Sequence, residues 1–129
     1  MAPIPIGAIS GLILSATVSF VITGRLFHPY QKKTAATWRP ESWRQHVLAM
    51  LLQAMAGAGI GWAFAISGAP TFGLALFELG LAIWIVLVAC NLIQALYVNL
   101  HPGFVVGIVL DWSVFIAGVL WACAALCAH

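Results

Sequence analysis

Two carboxylates, Glu78 and Asp111, stand inside long apolar runs of this sequence. An ionisable side chain is costly to bury in an apolar medium, so each is a candidate for carrying a proton, an ion or a polar substrate. Asn91 and Gln94 also interrupt an apolar run, and at a spacing of three they share a face of a helix. His28, His46 and His101 are the remaining candidates, because imidazoles gathered at one membrane face could hold a metal or serve as axial ligands of a pigment.

Spacing narrows these possibilities. If residues 72–98 form one helix, Glu78 lies roughly 20 Å along the axis from Asn91 and points about 140° away from it. Reflecting the chain about a turn at His101 brings Asn91 opposite Asp111 in depth. The expectation is that Asn91 and Asp111 are neighbours, close enough for a hydrogen bond, while Glu78 stands apart. The two acids then form no carboxylate pair, which weakens a general acid–base reading. Each acid also falls in the second turn of its own helix, where side chains lean toward the N-terminus and the helix dipole favours an anion. Glu78 could reach interfacial water, and Asp111 could reach Arg25 or Arg44. Anchoring or pairing is therefore the leading account of both, with a proton or substrate pathway as its rival.

The histidines show no His-x-x-x-His spacing, and no cysteine or carboxylate completes a metal site beside them. The expectation is ordinary interfacial histidines, with no catalytic residue, no metal and no cofactor. Bound lipid is expected, and a pigment stays open through His28, His46 and His101. His129 falls on the opposite side. Cys90, Cys123 and Cys127 are odd in number and lie within apolar runs, which argues for buried thiols rather than a disulfide framework.

The elements that position these residues follow from composition. Of 129 residues, 64% are hydrophobic and 6% charged, against roughly 25% charged in a soluble domain. A chain this short cannot hide so much apolar surface from water. A soluble domain, a disordered chain, a coiled coil and a nucleic-acid module are excluded. The fold class that remains is all-α: an integral membrane bundle of four transmembrane helices in a single domain, 1–129. Runs of about 20 apolar residues, enough to cross the hydrocarbon, cover about 4–24, 47–66, 72–98 and 104–128, with a polar loop at 25–46. The first run lacks the basic start of a cleavable signal peptide and exceeds its usual apolar length.

All five basic residues, Arg25, Lys32, Lys33, Arg39 and Arg44, fall in or beside that loop. The positive-inside rule places it in the cytoplasm and both termini outside. Pro40, Ser42 and Gln45 read as the start of the second helix, with Ser-x-x-Gln as a capping box. Trp38 and Trp43 suit the membrane interface.

Between helices in lipid, association depends on close backbone approach at small residues. The first span carries Gly7, Gly11, Ser15, Ser19 and Thr23 at every fourth position. The second carries Ala54, Gly57, Gly61 and Ala65. The third carries Ala75, Glu78, Ala82 and Ala89, and the fourth Gly107, Asp111, Gly118, Ala122 and Ala125. Each helix is thus expected to dock through one small-residue face in a compact bundle, with bulky residues facing lipid or another protein. No Gly-rich loop joins a strand to a helix, so they are not a phosphate cradle.

Trp84 through Asn91, the His101-Pro102 turn, Asp111-Trp112 and Gly118 resemble a bacterial family of small four-helix integral membrane proteins, a domain of unknown function. The stretch Phe27-His28-Pro29-Tyr30-Gln31-Lys32 is similar to it as well. That family typically has Asn where Asp111 aligns. The resemblance implies a fold and a bacterial cytoplasmic membrane, and no activity.

The leading expectation is a non-enzymatic membrane protein, an accessory or structural subunit packed within a larger bioenergetic (respiratory or photosynthetic) or transport complex. Its partners would be membrane lipids and other integral membrane proteins, in a hetero-complex rather than a homo-oligomer, with no nucleic acid. One alternative is a small homo-oligomeric transporter or channel using Glu78 and Asp111. Small multidrug exporters match it in size, but they depend on a glutamate in the first helix, where this chain has no acid. A second alternative is a pigment- or metal-binding subunit using the three histidines.

Overall fold

A computed structural model describes residues 2–34, 42–97 and 100–127, and every regular element among them is helical. Four helices are long and apolar enough to cross a membrane: Pro3–Gln31, Trp43–Ile66, Phe72–Leu96 and Pro102–Cys127. They are called the first to fourth helix below. Arg39, Glu41, Trp38, Pro40 and His129 lie outside the described residues, as do the side chains of Lys32 and Lys33.

The first helix runs past the expected end at Gly24. It continues through Arg25 and Pro29 as three joined stretches, Pro3–Leu14, Ser15–Phe27 and His28–Thr34. The middle stretch is π-helical, and the His28 N–H still reaches back five residues to the Thr23 carbonyl. Pro29 supplies no N–H, but it falls in the first turn of the last stretch, where a helix tolerates proline best. The wide turns also matter for the small-residue ladder. On an α-helix, steps of four residues drift about 40° each. Turns closed by i→i+5 bonds reduce that drift, so Ser15, Ser19 and Thr23 stay on one side and line one cavity.

The second helix starts at Trp43 behind the expected capping box. The Gln45 N–H donates to Ser42 Oγ at 3.4 Å, and the Ser42 N–H donates to Gln45 Oε1 at 3.0 Å. It ends in a turn where Gly68 takes a left-handed φ of 83°, and the Ala69 N–H reaches back to the Phe64 carbonyl at 3.1 Å. Glycine suits that position because a Cβ disfavours it.

The first and second helices cross with their backbones in contact. A Cβ at Gly7 would strike the Gly57 carbonyl, one at Gly61 would strike that of Pro3, and one at Gly11 would lie 2.7 Å from the Gln53 carbonyl. On the fourth helix, Gly107 leaves room for the Phe27 ring and Gly118 for the Leu14 side chain. Gly7, Gly11, Gly57 and Gly61 thus meet another backbone, whereas Gly107 and Gly118 receive bulky side chains, which do not all face outward. The fourth helix is central, with Phe115, Ile116, Val119, Leu120 and Cys123 in the core beside Phe64.

The third helix departs from expectation. Of its most apolar window only 11% is buried, against 39% for the fourth, which puts it at the edge of the bundle. Ala82 and Ala89 are exposed. Docking runs instead through Ala75, Gly80, Ile83, Trp84 and Leu87. Residues two positions apart on an α-helix are about 200° apart around its axis, so Ala82 points nearly opposite to Trp84. The wide turn Ala75–Gly80 adds a further rotation between Ala75 and the rest of the helix. Ala65 and Ala125, at the ends of their stripes, are exposed as well. So is Cys90, while Cys123 is buried and Cys127 half-buried.

Candidate binding cavity beside Asp111

The close crossing at Gly7 and Gly57 lies toward the N-terminus of the chain. Beyond it the first and second helices leave a space of about 660 Å³, with Asp111 of the fourth helix among its lining residues. Ser15, Ser19 and Thr23 line it from the first helix and Gln53 from the second, with His28, Trp43 and His46 also on its wall. Asp111, Gln53 and Ser19 each lie roughly 15 Å inside the helix ends nearest His28 and His101. They form one polar level near mid-helix.

Local chemistry holds that level together only in part. Gln53 Nε2 donates to Ser19 Oγ at 3.4 Å. The Ser19 and Thr23 hydroxyls flank the Asp111 carboxyl group. Asp111 is only 8% exposed, yet its Oδ1 has no hydrogen-bond partner among the described residues, and neither has Thr23 Oγ1. The Thr23 hydroxyl carries its own proton and stands beside the carboxyl group, so it is placed to donate to Asp111.

The expected Asn91–Asp111 pair does not form. Both register and direction separate the two residues. The face of the fourth helix toward the third is fixed by Ser113, whose Oγ accepts from Trp84 Nε1 at 2.9 Å. Asp111 lies two residues away, about 200° around the axis, and so faces the first helix. Asn91 Nδ2 donates to its own helix, at the Leu87 carbonyl, 2.7 Å away. Gln94 and Glu78 are exposed on the third helix and do not line the cavity. Nor do Arg25 and Arg44 pair with Asp111. Arg25 lies over the Phe20 ring and Arg44 over the Trp43 ring, each 5.7 Å from the centroid.

The three histidines share one end of the bundle but not one site. His28 packs on Phe104 with ring centroids 5.6 Å apart, His46 meets Phe20 edge-on at 5.9 Å, and His101 stacks on Tyr30 at 5.2 Å. His101 Nδ1 also accepts from the Gly103 N–H at 3.0 Å. Among the described residues no three His, Cys, Asp or Glu side chains are placed to hold a metal ion.

Two residues escaped the sequence reading. Gln53 is the one amide inside the second apolar run, and the reasoning that singled out Asn91 and Gln94 applies to it equally. Gln31 is 1% exposed, and its Oε1 accepts the His101 N–H at 2.7 Å, fastening the end of the first helix to the turn before the fourth. Nothing local signals it, because Gln31 stands in a polar stretch that reads as loop.

No family model, curated protein or solved structure matches this chain.

Proposed function

We propose that this chain is an integral membrane protein of the cytoplasmic membrane, with residues 25–46 inside, that binds a small ligand in the cavity beside Asp111 without transforming it. The observation that carries this reading is the space of about 660 Å³ lined by nearly fully buried Asp111 together with Ser15, Ser19, Thr23 and Gln53. That volume is in the range of small-molecule sites. The backbone contact at Gly7, Gly11, Gly57 and Gly61 leaves no gap at the far crossing. This favours binding over conduction by one copy, and a through-path would need a second copy. The test uses a Met50→Cys variant, at a half-buried position on the cavity wall, in membrane vesicles, treated with a small methanethiosulfonate reagent and read by peptide mass spectrometry so that the native thiols can stay. Modification of the introduced thiol at a rate well above that of Cys123 is expected. An introduced thiol as unreactive as Cys123 would end the cavity reading.

A second reading, an accessory subunit in a hetero-complex of membrane proteins, is favoured by the third helix. Its edge position leaves Glu78 and Gln94 exposed among Phe77, Ile85, Val86 and Ile93. Exposed polar groups on a lipid-facing helix are costly unless a neighbour or the interface receives them. Purification in mild detergent tests this: a stoichiometric membrane partner lost on Gln94→Leu supports it, and a lone chain with the same elution for both forms overturns it. The family resemblance at Trp84–Asn91 and Asp111–Trp112 is compatible with either reading.

A further inference from the structure

The cavity is a slot one leaflet deep. From Trp43 at one end of its wall to Gln53 at the other is ten residues of helix, roughly 15 Å, or about half of the ~30 Å hydrocarbon core. Its inner end is closed, because the contacts of Gly11 with Gln53 and of Gly7 with Gly57 bring the two backbones together. There the Asp111 carboxyl group is covered, with Oδ1 buried and the Ser19 and Thr23 hydroxyls against it. Toward the side the slot is apolar and open: Phe20, Val47 and Leu52 line it and are exposed between the first and second helices. In a bilayer that opening faces acyl chains. The outer end carries charge. Arg25 lies over the Phe20 ring and Arg44 over the Trp43 ring, so two exposed guanidinium groups stand at the rim. The two described acids lie elsewhere, Glu78 on the third helix and Asp111 at the inner end. Residues 25–46, which join the two helices, hold five basic residues against one acid, Glu41.

We infer that the cavity holds one chain of an anionic lipid from the leaflet that meets residues 25–46. Arg25 and Arg44 attract its anionic head group at the rim, as basic side chains at a membrane surface do. Its acyl chain enters through the lateral opening and fills the slot as far as the closed inner end. The charge at the rim selects the head, and the depth of the slot matches a chain that ends near mid-bilayer. This inference rests on the cavity reading proposed above and adds the class of the ligand.

The test uses the full chain with the Met50→Cys reporter in dodecyl maltoside micelles and measures protection of its thiol from uncharged methyl methanethiosulfonate. The rate at Cys90, exposed on the third helix, serves as the reference. Three lipids share their oleoyl chains: anionic dioleoyl phosphatidylglycerol, net-neutral dioleoyl phosphatidylcholine and the cation dioleoyl trimethylammonium-propane. The anionic lipid is expected to protect at about tenfold lower mole fraction than the neutral one, the equivalent of about 1.4 kcal/mol. The cation is expected to protect no better than the neutral lipid, and glycerol 3-phosphate, a head without chains, not at all. Arg25→Gln with Arg44→Gln should remove the anionic advantage, while Arg25→Lys with Arg44→Lys should keep most of it. Equal protection by the anionic and neutral lipids overturns the inference. So does an advantage that survives the glutamine pair or is lost equally in the lysine pair, and so does protection by glycerol 3-phosphate. A reactive reporter thiol that no lipid protects overturns it while leaving the open cavity standing. An unreactive reporter thiol removes both.

Discussion

Replacing Gly57 and Gly59 separately by alanine puts opposite signs on the same chemical change, two residues apart in one helix. At Gly57 the new Cβ would strike the Gly7 carbonyl and lie 3.0 Å from the Gly7 carbonyl carbon and 3.1 Å from Gly11 Cα. Carbon contacts settle at about 3.5–4.0 Å, so the two backbones must part by roughly half an ångström or more. A gap of that size forfeits about a quarter or more of each contact's attraction along the crossing. Overpacking of this kind costs about 1–3 kcal/mol. At Gly59 nothing lies within 4 Å of the added Cβ, and the residue is exposed. There alanine stabilises the helix by about 0.5–1 kcal/mol. The two variants should therefore differ by about 1.5–4 kcal/mol. Reversible unfolding in mixed micelles, titrated with sodium dodecyl sulfate and followed by far-ultraviolet circular dichroism, measures that difference. The double variant Gly7→Ala, Gly57→Ala sharpens the test. Both substitutions push on one contact, so their costs should fall short of additivity by about 0.5–3 kcal/mol. Indistinguishable stabilities for Gly57→Ala and Gly59→Ala would refute the backbone crossing, and with it the closed end of the cavity.

Three further outcomes follow from other contacts. Gln31→Leu leaves the His101 N–H unpaired, so amide exchange at residues 100–103 should quicken while the core of the fourth helix keeps its protection. Unchanged exchange there would mean that Gln31 does not fasten the turn. Ser113→Ala removes the acceptor of the Trp84 indole, at a cost of about 0.6 kcal/mol, and should move the Trp84 indole N–H resonance; the resonance staying in place would deny that contact. A lipid-soluble maleimide should modify Cys90 on the exposed face of the third helix well before buried Cys123, and equal rates would misplace the third helix.

Helix positions were legible because they are set by chain-local properties. An apolar run of membrane length announces itself, and Ser42 with Gln45 marks a start through side-chain reach over one turn. Even here the first helix exceeds its expected end, because Arg25 and Pro29 look like terminators until the wide turns and Gln31 are taken into account. The glycine stripes were legible for the same reason. Where Gly7, Gly57 and Gly61 stand, any close approach needs residues without side chains, so their identity signals the contact in advance.

The site was half legible. Asp111 drew notice by type alone, but neither its depth nor its partners came from counting along the chain: it stands in the third turn of its helix, and the Trp84–Ser113 contact sets the third helix against the fourth in another register. Direction depends in addition on accumulated rotation and on which helix stands where. The wide turns at Ser15–Phe27 and Ala75–Gly80 alter that rotation. The same sequence pattern that suggested Ala82 and Ala89 as a docking face fails once Trp84 and Gly80 take that role.

By itself, the sequence determined what each span must be: four apolar helices, their approximate ends, the residues small enough for contact and the acids too costly to ignore. These are properties of single segments and their solvent. Only the tertiary structure decided that the fourth helix is central and the third peripheral. It likewise decided that Asp111 faces Ser19 and Thr23 rather than Asn91, and that Arg25 and Arg44 lie over rings instead of neutralising it. Apolar helix surface is equally content against lipid or against another helix, so composition cannot choose among neighbours. That choice falls to interlocking shape, and here it sets Asp111 among Ser15, Ser19, Thr23 and Gln53 beside a cavity.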